Sequence, residues 1–261
     1  MTRVLSALVL LPAVLAIAWY LPPIYTTILI GLIVALAYDE YARMARLGSE
    51  GFPRVIAGVT TLTAYVGVWA GIPMALVLAP ALLVGASAAV GRGRPDEDAV
   101  RLAAVTLFPV LYLAVPLGMA AALHTDRGPL ALLVPFLVVV ASDSAQYYGG
   151  RTMGRRPLAP RISPKKTVEG AVTGVVVAAA VTPLLARIEI RDAPVGLFVV
   201  LGVLIAIIGI MGDLFESLLK RASGVKDSSS LIPGHGGILD RIDALLFVFP
   251  AYALFLRYTG L

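Results

Sequence analysis

The chain has 261 residues, of which 59% are hydrophobic and only 14% are charged, and its mean hydropathy is +0.91. Soluble domains carry about 25% charged residues, so this composition excludes an ordinary soluble fold and predicts an all-α, polytopic integral membrane protein. The absence of cysteine excludes disulfides, thiolate metal sites and cysteine nucleophiles. The net charge of +5 does not by itself indicate nucleic acid binding, because the placement of Lys and Arg is more informative in a membrane protein.

Nine apolar runs predict nine transmembrane helices, since each is long enough, or nearly so, to cross a hydrocarbon core of about 30 Å. The first run follows Arg3 and ends in Ala16-Ile17-Ala18, a pattern that also resembles a signal peptide. We interpret it as an uncleaved first helix. In chain order the runs cover about residues 4–20, 24–38, 55–70, 73–90, 102–123, 129–148, 170–186, 195–215 and 238–257.

The basic residues favour one orientation of these helices. With the N-terminus in the cytoplasm, most of the 21 Lys and Arg residues fall in cytoplasmic segments. The positive-inside rule therefore predicts nine helices with the N-terminus inside and the C-terminus outside. The exceptions, on the outer side, are Arg127, Arg187, Arg191 and Arg257.

The two halves of the chain differ in where their polar residues lie. Residues 1–125 form a predicted scaffold of apolar helices with charges at the helix ends, to which we also assign dimer contacts. Asp39, Glu40 and Arg43, near the end of the second run, have the spacing of an ion group on one helix face. We interpret them as an interfacial ion group. Residues 126–261 form the predicted catalytic region, with basic cytoplasmic loops.

The sixth run ends in a stretch that contains Asp143, and a carboxylate at membrane depth is expensive and by default functional. A loop with six bases and one acid follows. Within it, Ser163 and Pro164 predict a helix start, with the serine as N-cap and the proline at the first helical position. This places Lys165 and Lys166 in the first turn, where cations are disfavoured. An anion bound there, most simply a phosphate, would explain them.

A second polar stretch lies between the eighth and ninth runs. Asp240 and Asp243 are three residues apart at the start of the ninth helix. The Gly236-Gly237 pair permits the preceding loop to fold back, so the acids of both helices would converge with Asp143. Four polar residues of the eighth helix share one face, because they lie at positions i, i+3, i+4 and i+7. They are Asp213, Glu216, Ser217 and Lys220.

Converging carboxylates predict a bound cation, because like charges about 4 Å apart repel by about 4 kcal/mol even at an effective dielectric of 20. Oxygen ligands without cysteine favour Mg²⁺ over Zn²⁺. Mg²⁺ with surrounding bases indicates phosphoryl or nucleotidyl transfer, and the sequence has neither a P-loop nor a Rossmann fingerprint. For His235 four roles stay open: catalytic acid, metal ligand, phosphate donor or a residue that shapes the loop.

The stretch Ser217–Asp243 resembles the signature of the phosphatidate cytidylyltransferases, or CDP-diglyceride synthases. All 27 positions fit the pattern S-x-[apolar]-K-R-x₄-K-D-x-[small]-x₂-[apolar]-P-x-H-G-G-[apolar]-x-D-R-[apolar]-D. Residues 143–170 are similar to the family's second motif block, which includes S-P-K-K-T-x-E-G; Val168 stands where an aromatic residue is expected.

The resemblance implies an enzyme of the cytoplasmic (inner) membrane, with its active site facing the cytoplasm, that condenses CTP with phosphatidic acid to CDP-diacylglycerol and pyrophosphate. It also implies Mg²⁺, a second monovalent cation such as K⁺, and a homodimer among membrane lipids without nucleic acid. The metal ligands it implies are Asp213 and Asp240, with Asp143 and Asp243 close by. The catalytic residues it implies include those four with Lys220, Arg221, Lys226, Asp227, His235 and Arg241. The substrate-binding residues it implies are Arg151, Ser163, Lys165, Lys166, Thr167, Glu169, Ser217, Gly236 and Gly237.

Two other functions remain as alternatives. A CTP-dependent kinase for a lipid alcohol would use similar groups but needs a base to activate the hydroxyl. A cation-coupled transporter would also bury carboxylates, but it leaves the basic loops unexplained.

Overall fold

The structure is a computed structural model, and it describes residues 12, 15–46, 54–190, 194–229, 231 and 236–260. Helices dominate these residues, and six of the described helical segments are long and apolar enough to cross a membrane. The prediction of an all-α membrane protein is confirmed. The predicted first helix lies largely outside the described residues, although residues 15–20 are helical.

Every apolar run from residue 24 onwards forms a helix. A π-helical turn, Val110–Ala114, joins the fourth and fifth helices into one 31-residue segment, so the run at 102–123 is longer in the structure than predicted. The helices are α1 (Pro23–Met44), α2 (Arg54–Trp69), α3 (Met74–Gly91), α4 (Glu97–Pro109), α5 (Val115–Arg127), α6 (Pro129–Met153), α7 (Val168–Glu189), α8 (Val195–Ala222) and α9 (Leu239–Thr259).

Many large apolar side chains point away from the protein interior. On α3, Leu76, Leu82 and Leu83 are all more than 60% exposed, and on α7 Val176 is 61% exposed. A water-soluble protein rarely leaves such continuous apolar helix faces uncovered. These faces therefore suit contact with lipid, and internal prolines such as those of α6 and α7 are tolerated in helices of this kind.

The chain divides into two compact units, residues 1–126 with 227–240, and residues 127–226 with 241–261. In the first unit, tyrosines tie neighbouring helices together through backbone carbonyls. The hydroxyl of Tyr65 donates to the carbonyl of Thr27 at 2.6 Å, and that of Tyr38 donates to the carbonyl of Arg54 at 2.6 Å. These bonds satisfy phenol groups that would otherwise be buried without a partner.

In the second unit, α6 packs along α7, and α7 packs along α8. Glycines allow the close approach: a Cβ on Gly170 would lie 2.7 Å from the carbonyl oxygen of Gln146, and one on Gly174 would collide with the side chain of the same glutamine. Small residues at helix interfaces are typical of membrane bundles. The packing aligns the C-terminal end of α6 with the start of α7.

Between α6 and α7 the chain forms an antiparallel hairpin of two short strands, β1 (Pro157–Ala159) and β2 (Ser163–Thr167). The predicted helix start at Ser163 is therefore wrong. The helix begins five residues later, where the hydroxyl of Thr167 accepts a hydrogen bond from the backbone N–H of Gly170 at 3.1 Å. Pairing with Pro157–Ala159 keeps Ser163–Thr167 extended, and a proline is compatible with the edge of a short strand.

The two lysines that precede α7 also lie in a different element from the one predicted. Lys165 and Lys166 lie on a strand, not in the first turn of α7, so the helix dipole neither opposes them nor requires an anion beside them. Alternate residues of a strand point to opposite faces. The lysines are therefore expected to differ in environment, and Lys165 is exposed whereas Lys166 is partly covered.

Candidate active site

Three carboxylates from three helices of the second unit lie within electrostatic range of one another: Asp143 of α6, Asp213 of α8 and Asp243 of α9. The negative charge of Asp213 acts on both of the others, and Asp143 also acts on Asp243. We call these three residues the carboxylate cluster. Gln146, one turn after Asp143, donates to its Oδ1 at 3.0 Å, and the backbone N–H of Ala244 donates to Oδ1 of Asp243 at 2.8 Å.

Lys166 supplies positive charge to this cluster. Its ammonium group forms an ion pair with Oδ2 of Asp213, and its charge also acts on Asp143. The side chains of Lys166 and Asp213 are 21% and 31% exposed, so water and a small ligand still reach the pair. The lysine predicted to face a phosphate therefore faces the carboxylates, at the end of a strand that aims it towards α8.

A second ion pair lies one turn further along α8. The carboxylate of Glu216 is fully buried and pairs with Lys220, whose side chain is only 12% exposed. Because the two residues are four positions apart on one helix, the pair fixes the direction of the lysine. Ser217, between them in sequence, is partly buried.

The donor set of the cluster suits a hard cation. It offers carboxylate oxygens and no sulfur, the ligand type that Mg²⁺ prefers. Within the described part of the chain, however, no three carboxylate or histidine side chains converge closely enough to enclose one metal ion. Mg²⁺ commonly takes only one or two protein carboxylates and completes its coordination with water and substrate phosphate. The cluster therefore fits an open magnesium site and does not form a closed metal cage.

The other predicted bases and Asp227 lie on the surface. Arg151 donates to the hydroxyl of Tyr147 at 3.1 Å, and Arg221 donates to the carbonyl of Val225 at 3.4 Å. Both of these arginine side chains are exposed, and a guanidinium group has further N–H donors that could bind a phosphate. The exposed members of the predicted site are Arg151, Lys165, Arg221, Lys226, Asp227 and Arg241.

Glu169 holds the hairpin against the start of α7. Its Oε2 accepts hydrogen bonds from the backbone N–H groups of Arg155 and Arg156, at 3.0 and 3.1 Å. With the Thr167 cap, this fixes where β2 ends and α7 begins. Glu169 and Thr167 were both predicted to contact substrate; their observed contacts orient the strand that carries Lys166.

Asp240, in the first unit, has a different environment. Its Oδ2 accepts hydrogen bonds from the backbone N–H of Ser228 at 3.0 Å, from the Ser228 hydroxyl at 2.9 Å and from the N–H of Gly237 at 2.8 Å. Gly236 has a φ of +80°, which favours glycine. We call residues 227–240 the signature loop; His235 lies outside the described residues, so its four possible roles stay open.

Glu40 is the residue that the sequence interpretation placed wrongly. The neighbouring Asp39 does form the expected i, i+4 ion pair with Arg43, at 2.9 Å, and it also pairs with Arg54. Glu40 instead is 0% exposed and accepts hydrogen bonds from the signature loop. The available signal was an acid inside an apolar helix, where a charge needs partners; the sequence could not indicate partners some 190 positions away.

Comparison with known proteins agrees with this picture. A sequence model described as the Cytidylyltransferase family matches residues 1–259. The chain is 34% identical to the phosphatidate cytidylyltransferase of Haemophilus influenzae, over 97% of each protein. It is also 34% identical to that of Pseudomonas aeruginosa, over 99% of this chain and 97% of the relative, and 33% identical to that of Helicobacter pylori, over 84% and 77%. The chain belongs to the cytidylyltransferase family.

Proposed function

We propose that this protein is a phosphatidate cytidylyltransferase, which converts CTP and phosphatidic acid to CDP-diacylglycerol and pyrophosphate. The observation that carries the proposal is the carboxylate cluster together with Lys166, which pairs with Asp213 and acts on Asp143, in a chain whose full-length relatives are named for this reaction. The cluster joins residues of both sequence blocks that resemble the family. The cluster combines carboxylate oxygens with the ammonium group of Lys166 in a membrane protein.

In this reaction a phosphate oxygen of phosphatidic acid forms a bond to the α-phosphorus of CTP. The bond between that phosphorus and the oxygen that bridges to the β-phosphate breaks, and pyrophosphate leaves with the electron pair. The attacking phosphate is already ionised at neutral pH, so the chain needs no strong base. Its task is to orient two anions and offset their charge.

The residues divide this task between them. Lys166 and Lys220 are held in place by Asp213 and Glu216, so they offer positive charge in fixed positions. Arg221 and Lys226 are exposed, so they are able to bind the phosphate groups of the leaving pyrophosphate at the protein surface. Bound Mg²⁺ would neutralise phosphate charge and polarise the phosphoryl group. Asp213, Asp143 and Asp243 would hold it, and the role of Asp240 as a further ligand stays a prediction from the resemblance.

The arrangement in the membrane is also part of the proposal. We infer nine spans, an N-terminus in the cytoplasm and an active site that faces the cytoplasm of an inner membrane, because the basic residues then fall on the cytoplasmic side. A soluble nucleotide would reach the cluster from the cytoplasm and the lipid would reach it from the bilayer. A homodimer and a second monovalent cation such as K⁺ remain proposals that rest on the resemblance alone.

The test uses purified full-length protein in lipid nanodiscs with Mg²⁺, phosphatidic acid and CTP labelled at either the α- or the γ-phosphate. The proposal requires that α-label enter the lipid and that γ-label leave as pyrophosphate. A parallel reaction contains diacylglycerol in place of phosphatidic acid, and transfer of γ-label to that lipid would instead establish a lipid kinase. If neither label leaves CTP and the protein conducts cations in proteoliposomes, the result would favour the transporter.

A further inference from the structure

Glu40 is a fully buried carboxylate that neither the carboxylate cluster nor the proposed reaction uses. An isolated buried charge costs several kcal/mol, and proteins retain one only where hydrogen bonds or charges compensate it. Glu40 lies in α1, within a helix that is otherwise largely apolar. Its environment therefore needs a specific explanation.

Among the described residues, four donors surround the Glu40 carboxylate, and all belong to the signature loop. Its Oε1 accepts from the hydroxyl of Ser229 at 2.6 Å and from the backbone N–H of Ile238 at 2.9 Å. Its Oε2 accepts from the hydroxyl of Ser228 at 2.8 Å and from the backbone N–H of Leu239 at 2.9 Å. One carboxylate thus binds both ends of the segment between residues 228 and 239.

The same contacts reach Asp240. The Ser228 hydroxyl lies within hydrogen-bond distance of both Oε2 of Glu40 and Oδ2 of Asp240. Leu239 is the first residue of α9, and the free amides at a helix N-terminus favour a negative charge beside them. A side chain on Gly237 would collide with Ser228 and with Glu40, so the loop is shaped around this carboxylate.

We propose that Glu40 is a positioning residue for the cytidylyltransferase reaction: it holds the signature loop and the start of α9 so that Asp240 is presented in one orientation. The inference rests on the proposed function. Glu40 does not touch substrate, since protein donors occupy both oxygens and none of its surface is exposed. It acts through Ser228 and through the backbone of Leu239.

Glu40→Gln tests this proposal, because it keeps the shape of the side chain and removes its charge. Asp39→Asn is the matched control: it removes the neighbouring acid, whose side chain is 47% exposed and pairs only with surface arginines in the contacts described above. We expect kcat for lipid labelling to fall by about 10- to 100-fold in Glu40→Gln, the range for residues that orient metal ligands. The Mg²⁺ concentration for half-maximal activity should rise, while the KM for phosphatidic acid changes little.

Limited tryptic cleavage gives a readout that does not depend on activity. Lys226 is exposed and lies two residues before the anchored Ser228. Release of the loop in Glu40→Gln should accelerate cleavage after Lys226 at a temperature well below the thermal midpoint of every variant tested. Asp39→Asn should be cleaved at the wild-type rate. Equal cleavage, kcat and Mg²⁺ dependence in the two variants would overturn the proposal.

Ser229→Ala covers the case in which Glu40→Gln does not fold. It removes one of the four donors, and we expect about a fivefold loss of kcat and faster cleavage after Lys226; wild-type behaviour in both assays would overturn the proposal. The failure of the proposed function itself looks different. In that case the wild-type protein transfers no α-label to lipid, whereas tryptic cleavage still decides whether Glu40 anchors the loop.

Discussion

Two groups of acids in this protein are satisfied in opposite ways. In the carboxylate cluster, Asp213 contacts a lysine and lies near Asp143 and Asp243, and few backbone donors take part. Around the signature loop, Glu40 of α1 and Asp240 accept hydrogen bonds from backbone N–H groups and from the hydroxyls of Ser228 and Ser229. The first group is held by charges that a ligand can replace. The second is held by the chain itself.

This difference suggests that the carboxylate cluster takes part in the reaction, whereas the acids around the signature loop stabilise the fold. A backbone amide cannot leave without unfolding the loop, so carboxylates bound to amides are poorly suited to exchange partners during a reaction. A lysine side chain can move away when a metal or phosphate arrives. We therefore expect substitutions in the cluster to remove activity without loss of stability, and substitutions in the signature loop to affect both.

The largest effects should follow from Asp213→Asn and Asp240→Asn, each of which we expect to reduce lipid labelling by more than about 100-fold, beyond the range of outer-shell partners of a metal. Only Asp240→Asn should also lower the thermal midpoint, because it weakens three hydrogen bonds to a charged acceptor. Labelling assays and thermal melts on the same preparations measure both effects. Near-normal activity of Asp213→Asn would contradict the role of the cluster.

A smaller effect is expected from Gly237→Ala. The added methyl group would meet the Ser228 hydroxyl and the Glu40 carboxylate, both buried, so the loop must shift. Overpacking of this kind costs about 1–3 kcal/mol, and we expect a lower thermal midpoint with reduced activity. Gly91→Ala is the matched control, since nothing lies within 4 Å of its Cβ position. Equal melting of the two variants would show that the loop is loosely packed around Glu40.

The sequence predicted the helices well because their signal is local. An apolar run of some twenty residues has to be helical in lipid, whatever its neighbours are, and every run from residue 24 onwards is a helix. The sequence also predicted that Asp143, Asp213, Asp240 and Asp243 converge, since acids in apolar segments are costly unless they gather around a cation. In the structure Asp213 acts electrostatically on Asp143 and Asp243, whereas Asp240 accepts hydrogen bonds from Ser228 and Gly237. The resemblance to the family added the substrate class, which spacing alone did not contain.

The errors concern contacts that no local pattern records. Ser163 and Pro164 have the composition of a helix start, yet pairing with Pro157–Ala159 favours a strand. Glu40 has the spacing of a surface ion group, yet its partners come from residues 228–239. In both cases another segment, the preceding strand of the hairpin for Ser163 and a loop some 190 positions away for Glu40, supplied hydrogen bonds that outweighed a weak local preference. Gly236 and Gly237 were predicted to bind substrate. The structure shows instead that Glu40 occupies the space that a side chain on Gly237 would need.

The smallest effect tests the corrected start of α7. Thr167→Val keeps the size of the side chain and removes the hydroxyl that accepts from the N–H of Gly170. Loss of a helix cap costs about 1 kcal/mol, which should lower the thermal midpoint by about 2–4 °C. Thr167→Ser should retain the cap and melt like the wild type.

Ser163→Ala, at the position first expected to be the cap, should shift the midpoint by less than Thr167→Val, because Ser163 lies in β2 and not at a helix start. A larger shift for Ser163→Ala would restore the original assignment and, with it, the placement of Lys165 and Lys166 in a helical first turn.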